Sequence, residues 1–456
     1  MTHGHSHGDI EPPLRRNRAY LQEARDTRRT ALRLLAAILV PVALLTIAGL
    51  VLLWPDSLSS HVRKSVTQVS SAGTTTVAGT ITFVKPMSCS EAGGGPGGAG
   101  DGGGAGDSEG APAPSDASSP SSGASGDTSP ENRCAVLSVD IRGGPEKGKA
   151  EQVTVDNVVL STSPKAGQKV RLARSVIPGQ PVTYEFADFE RGLPLALIAA
   201  LFAVVVIGVA RWRGLLALVG LGFGAAILTW FVFPGLVGGE NPVLVGLVGC
   251  LAIMFVVLYC THGFSVRTTT ALLGTVFGLG LSALLGWGAT SWTHLTGAAT
   301  DDDYLLGQAA PDMRLTAVVV CGMIIAGMGV LNDVTITQAS AVWELAEAGE
   351  TDRRSLFRRA MRIGRDHIAS TVYTIAFAWA GASLGTLLLI SVYDRPLLDI
   401  LQSELIAAEV LSTLVGSVAL VLSVPVTTGV AVALVGQAQA KTSRRGRRTP
   451  SAPTTD

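Results

Sequence analysis

A long apolar region constrains this chain more than any other sequence feature. Between Leu193 and Val435 it divides into seven runs, each close to the ~20 residues that a helix needs to cross a bilayer. An eighth run, 31–54, precedes them. Only 15% of the residues are charged, against about a quarter in soluble chains. The pattern predicts a polytopic α-helical membrane protein with about eight transmembrane helices, of which the last seven cover approximately 193–211, 214–234, 242–261, 269–290, 315–335, 367–391 and 406–435.

Arginine placement predicts the orientation of these helices. Lys and Arg stay preferentially in cytoplasmic loops. They cluster in residues 1–30, 339–366 and 437–456, and Arg211, Arg213 and Arg267 lie in the short internal loops. The short external loops instead carry acidic residues, with Arg314 and Arg395 as exceptions. Eight spans with both termini in the cytoplasm place every basic cluster inside. Abundant Gly and Ala, with Arg exceeding Lys, are common in high-GC bacterial coding, so we expect a bacterial cell membrane.

The run 31–54 has two interpretations. It could be the hydrophobic part of a cleaved signal peptide, or it could be an uncleaved anchor that forms the first transmembrane helix. The run is long for a signal peptide and begins late in the chain. Both features favour the anchor.

Residues 55–190 predict a small extracytoplasmic β-rich domain between the first and second helices. Alternating segments at 77–84, 135–141 and 152–155 are separated by Gly and Pro turns, as in a small barrel or sandwich. The insert 91–130 is nearly all Gly, Ala, Ser, Pro and Asp, which predicts disorder. Cys89 and Cys134 flank the insert. A disulfide would close the base of this loop in an external domain, and two free thiols are the alternative.

Polar residues in the 315–335 run and just after it form the first candidate site. An ionisable group inside a span costs about 2.5–3.5 kcal/mol on insertion scales, so it needs a partner or water. Asn332, Asp333, Thr337 and Gln338 are the candidates here. Alternatively, Asn332 or Asp333 caps a new cytoplasmic helix. Three small residues and Asp333 share one face of the predicted helix: Gly322, Ala326, Gly329 and Asp333. The small residues would let another helix approach this face closely.

Two further groups complete the predicted polar path. Asp366, His367 and Thr371 lie where the 367–391 run begins, and histidine changes charge near neutral pH, which suits proton coupling. Alternatively, Asp366 pairs with its neighbouring arginine at the headgroup level. Glu409 shares a helical face with Thr413 in the 406–435 run, so its carboxylate could point into the bundle.

Two segments predict contacts other than a catalytic site. Six arginines interleaved with apolar residues between 350 and 365 predict a basic amphipathic segment on the anionic inner leaflet. In the 269–290 run, four small residues repeat at a spacing that favours close helix packing: Gly274, Gly278, Ser282 and Gly286.

Few features point to a cofactor or to enzymatic chemistry. His3, His5 and His7 alternate with small residues and could bind a transition metal, although a tail without a fixed role explains them equally well. The chain lacks HExxH and P-loop motifs, and its GxSxG match at 106–110 lies in the low-complexity insert, without the strand and helix that this motif needs. We therefore expect no enzyme activity, no cofactor and no nucleic-acid partner. The expected partners are the lipid bilayer and a small solute or ion, and a homo-oligomer stays open.

Several motifs in the same order resemble the YibE/F family of bacterial multi-spanning membrane proteins. They are the segments 188–191, 329–338 (GVLNDVTITQ), 364–368 (GRDHI), 414–417 and 424–425. The resemblance covers about 190–436 and extends over the flanking β-rich region. It implies a transporter of unsettled substrate, so the motif positions are characteristic of the family without an assigned role.

The sequence thus leads to two hypotheses about function. The first is a membrane transporter or permease in which polar groups at two depths line a gated route. The alternative is a non-transporting scaffold or sensor whose external β-domain binds a ligand or an envelope partner. A permease needs these polar groups on a common cavity, whereas a scaffold would leave them capping helices or facing the lipid interface.

Overall fold

The structure, a computed structural model, divides into two compact units, Ser65–Leu201 and Met1–Lys64 with Phe202–Asp456. It describes residues 33, 35–55, 74–89, 133–177, 179–350, 352–392 and 396–446. The predicted insert 91–130, the tail residues 1–30 with His3, His5 and His7, and the last ten residues of the C-terminal tail, 447–456, lie outside the described residues.

The smaller unit is built around a curled antiparallel sheet. Its five strands are β1 (Thr74–Ser88), β2 (Arg133–Ile141), β3 (Ala150–Val155), β4 (Lys169–Ser175) and β5 (Thr183–Phe189), with a short helix, α2 (Asn157–Ser161), between β3 and β4. The strand order is β3-β2-β1-β4-β5. The edge strands β3 and β5 also lie beside each other. The sheet therefore curls towards a small barrel, one of the two predicted forms.

The core of this unit is formed by every second side chain of its strands. Alternate residues of β2 point inward and are fully buried, including Leu137, Val139 and Ile141. They pack against Ile81 of β1 and Leu172 of β4. Burial of one face of each strand fixes the register, because a slip of one residue would turn the apolar set outward.

A disulfide joins Cys89 to Cys134 across 45 positions of sequence. The last pairs of the β1–β2 ladder, Met87 with Cys134 and Ser88 with Arg133, lie directly beside it. The bond therefore holds together the two strand ends from which the insert departs. Of the two alternatives weighed from the sequence, the structure contains the disulfide.

An ion pair ties the β2–β3 turn to the far side of the sheet. The Arg174 guanidinium donates two hydrogen bonds of 2.8 Å to the Glu146 carboxylate, and the Tyr184 hydroxyl donates a third of 3.0 Å. Bidentate charge-assisted bonds of this kind are among the stronger hydrogen bonds in proteins. The bonds from Arg174, then that from Tyr184, lower the pKa of Glu146 from 4.5 to about 2.

We predict that Glu146→Gln weakens the β unit at neutral pH and flattens its acid response. A carboxyl whose pKa is lower in the folded state stabilises the fold fully above its unfolded pKa of about 4.5. That contribution is lost as the pH falls from there towards about 2. Hydrogen exchange in β4 and β5, corrected for intrinsic exchange rates and followed from pH 7 to pH 2, measures the difference. The exposed Glu185→Gln on β5 is the control, and equal profiles for both variants would contradict the prediction.

The larger unit is helical. Its helices are α1 (Leu35–Leu52), α3 (Gly192–Ile227), α4 (Phe233–Val237), α5 (Pro242–His262), α6 (Val266–Trp292), α7 (Asp301–Ala309), α8 (Leu315–Glu347), α9 (Arg353–Ala382), α10 (Leu384–Val392), α11 (Leu397–Gln402) and α12 (Glu404–Gly446). A π-helical turn, Leu228–Val232, connects α3 to α4. Among the described residues, six helices are long and apolar enough to cross a membrane, or up to seven if the bent pair α9–α10 is one span.

Side-chain hydrogen bonds cap the N-termini of several of these helices. The Asn241 side chain accepts hydrogen bonds from two backbone amides in the first turn of α5, and Pro242 follows it at the first helical position. The Ser265 side chain caps α6 in the same way, and that of Asp352 caps α9. These caps satisfy amides that lack a partner within the helix, and they fix where each apolar segment begins.

A sharp break at Arg211 interrupts the longest apolar segment. Gly192–Val237 contains 46 residues, about 69 Å of helix and more than twice the ~30 Å hydrocarbon layer. Arg211 has non-helical dihedrals, φ 54° and ψ −132°. A Cβ atom on Gly214 would collide with the Val206 carbonyl, so the chain turns back tightly here. The break falls at the boundary predicted between the runs 193–211 and 214–234.

Helices α6, α8 and α12 form the core of the helical unit. Their contact surface contains six buried hydroxyl side chains, which we call the hydroxyl seam: Thr275, Ser282, Thr335, Ser423, Thr427 and Thr428. The Thr275 and Thr335 hydroxyls lie 2.8 Å apart and share a hydrogen bond between α6 and α8. The three hydroxyls of α12 donate to carbonyls one turn earlier in their own helix.

Glycines let the three helices approach closely along this seam. A Cβ atom on Gly274 would collide with the Thr427 hydroxyl, and one on Gly278 would lie 2.5 Å from the Ser423 hydroxyl and from Leu331. The predicted role of the small residues of α6 in close packing is therefore confirmed. In lipid, helices associate through such close packing and interhelical hydrogen bonds, because lipid chains are as apolar as the side chains.

We predict that Gly278→Ala destabilises the helical unit by about 1–3 kcal/mol, the usual cost of overpacking a filled core. Gly288→Ala on the same helix is the matched control, because a Cβ atom there meets open space. Alanine also favours helix by roughly 0.5–1 kcal/mol over glycine, so the control should be neutral or slightly stabilising. Thermal unfolding in detergent measures both, and equal midpoints would contradict the packing account.

Candidate functional site

Asn332 and Asp333 lie inside one continuous helix. Helix α8 runs from Leu315 to Glu347 without interruption. The alternative that either residue caps a new helix is therefore wrong, because the chain does not leave the helical conformation there. The predicted basic loop 339–366 is likewise largely helical, since it contains the end of α8 and the start of α9.

The small-residue face of α8 does not pack as expected. Gly322 and Gly329 meet no neighbouring atom within 4 Å of an added Cβ position, so this face is open among the described residues. The opposite face, with Met323 and Leu331, is buried against α6. The face with bulky apolar side chains packs against α6, because it buries more apolar surface than the small-residue face. Asp333 therefore lies on the open face, with 74% of its side chain exposed.

Asp333 nevertheless has a partner on a neighbouring helix. Its carboxylate lies 3.8 Å from His367 Nε2 on α9, and the His367 side chain is 31% exposed. The Nε2 atom itself is buried and has no hydrogen-bond partner among the described residues. The adjacent Asn332 carries a second buried atom of this kind, its side-chain oxygen. Thus two facing helices each present an unpartnered polar atom at the same level.

Gln338 connects three helices directly beside this pair. Its side-chain amide donates to the Ala360 carbonyl of α9 at 3.1 Å and to the Thr428 hydroxyl of α12 at 2.7 Å. A Cβ atom on Gly364 of α9 would lie 2.8 Å from both Gln338 and Val424. The start of α9 is therefore packed closely against α8 and α12, whereas most of α9 beyond His367 is exposed.

The remaining candidates do not join this group. Thr337 and Asp366 are exposed, and the Thr371 hydroxyl donates to the His367 carbonyl of its own helix. Glu409 is exposed and Thr413 half-buried near the other end of α12. Glu409 precedes Val424 by fifteen residues, about 22 Å along a helix. Glu409 and His367 therefore lie too far apart to form a single site.

The metal hypothesis finds no support among the residues that the structure describes. The three tail histidines lie outside them, and the described residues contain no group of three or more His, Cys, Asp or Glu side chains that could hold a metal ion.

The structure also contains a cleft that sequence reasoning missed. It has a volume of about 930 Å³ and lies where the start of α5, the end of α6 and the start of α8 meet. Asn241, His294 and Arg314 contribute polar groups, and Trp287 contributes an aromatic wall. Only Arg314 gave a signal in the sequence, as a basic residue in otherwise acidic loops. The cleft depends on helices that are distant in sequence, so local patterns do not reveal it.

Comparison with known proteins gives one result. The family described as YibE/F-like protein matches residues 198–437, a region that contains α5 to α9, the hydroxyl seam and the Asp333–His367 pair. No curated protein and no solved structure matches the chain. With more than half of its length covered by this match, the chain belongs to the YibE/F-like protein family.

Proposed function

We propose that this protein is a permease for a small solute or ion, with a route that passes between α8 and α9 at Asn332, Asp333 and His367. The observation that carries the proposal is the pair of unpartnered polar atoms on these helices, Asn332 Oδ1 and His367 Nε2. Buried polar atoms at membrane depth are costly unless water, an ion or a solute satisfies them. A route for polar solutes supplies such partners.

The proposal places eight transmembrane helices in a bacterial cell membrane. Six helices pass the test of length and apolarity. The break at Arg211 would divide Gly192–Val237 into two spans, and the pair α9–α10, bent by 68°, would add another. Eight spans agree with the basic clusters and put both termini in the cytoplasm. The disulfide-bonded β unit then lies outside, where oxidising conditions maintain such bonds.

Gating would come from the Asp333–His367 pair. The Asp333 carboxylate and His367 Nε2 lie 3.8 Å apart, so a solute or ion that passes between them would change the contact between α8 and α9. Gln338 and Gly364 hold the start of α9 in place. The exposed remainder of α9 can therefore move about this fixed point while the core stays packed. Glu409 would serve as a second acidic group on the route, nearer the other face.

A scaffold or sensor is the second candidate. It is favoured by the hydroxyl seam, in which every hydroxyl except that of Ser282 has a hydrogen-bond partner within the protein. Polar groups in the spans would then stabilise helix packing and line no route. The β unit, closed by Cys89–Cys134, would bind an external ligand or envelope partner.

A solute screen by thermal unfolding tests the permease. Purified protein in detergent is heated with amino acids, inorganic anions or divalent metals, because a ligand that binds only the folded state raises the midpoint. We expect at least one solute to raise it for the wild type. Asp333→Asn and His367→Gln should abolish the shift, since each removes one side of the proposed contact.

Asp366→Asn is the matched control for this screen. Asp366 is an exposed acid adjacent to His367, without a hydrogen bond or ion pair to any described residue. The solute shift should survive in this variant, and liposomes loaded with that solute should show flux. If no solute shifts the wild type, or if the shift persists in Asp333→Asn and His367→Gln, the proposed route is wrong and the scaffold is favoured.

A further inference from the structure

The cleft between α5, α6 and α8 has a polar mouth and an apolar depth. Its polar lining residues sit at the helix ends, for example Asn241 at the start of α5 and Ser291 at the end of α6. Leu247, Gly280 and Val320 lie deeper along the same three helices. From Ser291 to Gly280 the distance is about 16 Å at 1.5 Å per residue. The lining thus changes from polar to apolar along the helix direction.

The mouth of the cleft carries the positive charge of Arg314. His294 and Arg314 line it, and none of the described lining residues is acidic. The nearest acids in sequence, Glu240 and Asp312, do not line the cleft. Arg314 forms no ion pair with a described residue, since its guanidinium takes part in none of the salt bridges. A cation at such a mouth favours an anionic group.

The apolar wall is open at its side. Leu284 and Trp287 of α6 line the cleft and still expose 62% and 59% of their surface. Large apolar side chains are stable at such a position when hydrocarbon covers them, and tryptophan is favoured where one end is apolar and the other is wet. The volume of about 930 Å³ falls within the range of ligand pockets, roughly 300–1,000 Å³.

From this geometry we infer that the cleft binds an amphiphile with an anionic head and a hydrocarbon chain. The head contacts Arg314 and His294, and the chain follows Trp287 and Leu284 towards the apolar end. A bilayer phospholipid and a free fatty acid share this chemistry. The site lies at the start of α8, far from Asp333, which follows Arg314 by nineteen residues, about 28 Å along a helix. The inference therefore does not depend on solute transport.

Ligand binding to the purified full-length protein in a non-ionic detergent tests this inference. Native mass spectrometry and thermal unfolding are performed with oleate, phosphatidylglycerol, phosphatidylcholine or inorganic phosphate. We expect oleate or phosphatidylglycerol to form a single adduct and to raise the midpoint, while phosphatidylcholine and phosphate do neither. Binding of oleate alone identifies a free fatty acid as the source, and binding of phosphatidylglycerol identifies a membrane lipid.

Two pairs of variants locate the bound molecule. Arg314→Gln should weaken binding about tenfold or more, because a hydrogen bond to a charged group is lost, and Arg213→Gln should leave it unchanged. Trp287→Ala should also weaken binding, whereas Trp292→Ala, on the same helix but outside the cleft, should not. The second pair keeps the test decisive if Arg314→Gln fails to fold.

Three results would overturn the inference. The first is the absence of an adduct and of a thermal shift with all four probes. The second is an equal effect of phosphate alone or of phosphatidylcholine, which would indicate a simple anion site or general lipid contact. The third is unchanged oleate and phosphatidylglycerol binding in both Arg314→Gln and Trp287→Ala, which would place the ligand elsewhere.

Discussion

Close approach of α6 to α8 and α12 is the constraint on which the helical unit depends. Glycines at 274 and 278 remove the side chains that would otherwise separate the helices, and the hydroxyls of Thr275 and Thr335 then come within hydrogen-bond distance. Each hydroxyl also lies within hydrogen-bond distance of a carbonyl of its own helix, Ala271 for Thr275 and Asn332 for Thr335, so the close approach adds an interhelical bond between groups that already have local partners. Helices in lipid gain little from apolar contact alone, so this fit of small and polar side chains determines which helices pack together.

The packed core also determines where the unit can move. Gln338 extends the network of buried polar bonds to the start of α9, and Gly364 allows the close contact there. Beyond His367, α9 is mostly exposed and bends by 68° into α10. The core of α6, α8 and α12 is tightly packed, whereas α9 beyond His367 has few contacts with it. We therefore propose that α9 can move while the core stays fixed. The Asp333–His367 contact lies at the boundary between them, which is why we propose the polar route at this position.

Sequence reasoning succeeded where local patterns decide the structure. The apolar runs, the alternating strands and the small-residue spacing of α6 can each be recognised within one continuous stretch of sequence. It failed where the outcome depends on which segments become neighbours. The small face of α8 ending at Asp333 stayed open because Met323 and Leu331 on the other face fill the core better. The cleft at Arg314 was missed for the same reason, since three helices distant in sequence form it.

Water access to the α8–α9 boundary tests the central claim most directly. Thr371→Cys lies on α9 one turn after His367, and Phe377→Cys lies on the same helix with 74% of the native side chain exposed. In protein embedded in liposomes, with Cys250, Cys260 and Cys321 replaced by serine or alanine, a membrane-impermeant thiol reagent reports contact with water. The proposed route predicts rapid modification of Thr371→Cys and protection of Phe377→Cys by lipid. Equal protection of both positions would contradict a polar route between α8 and α9.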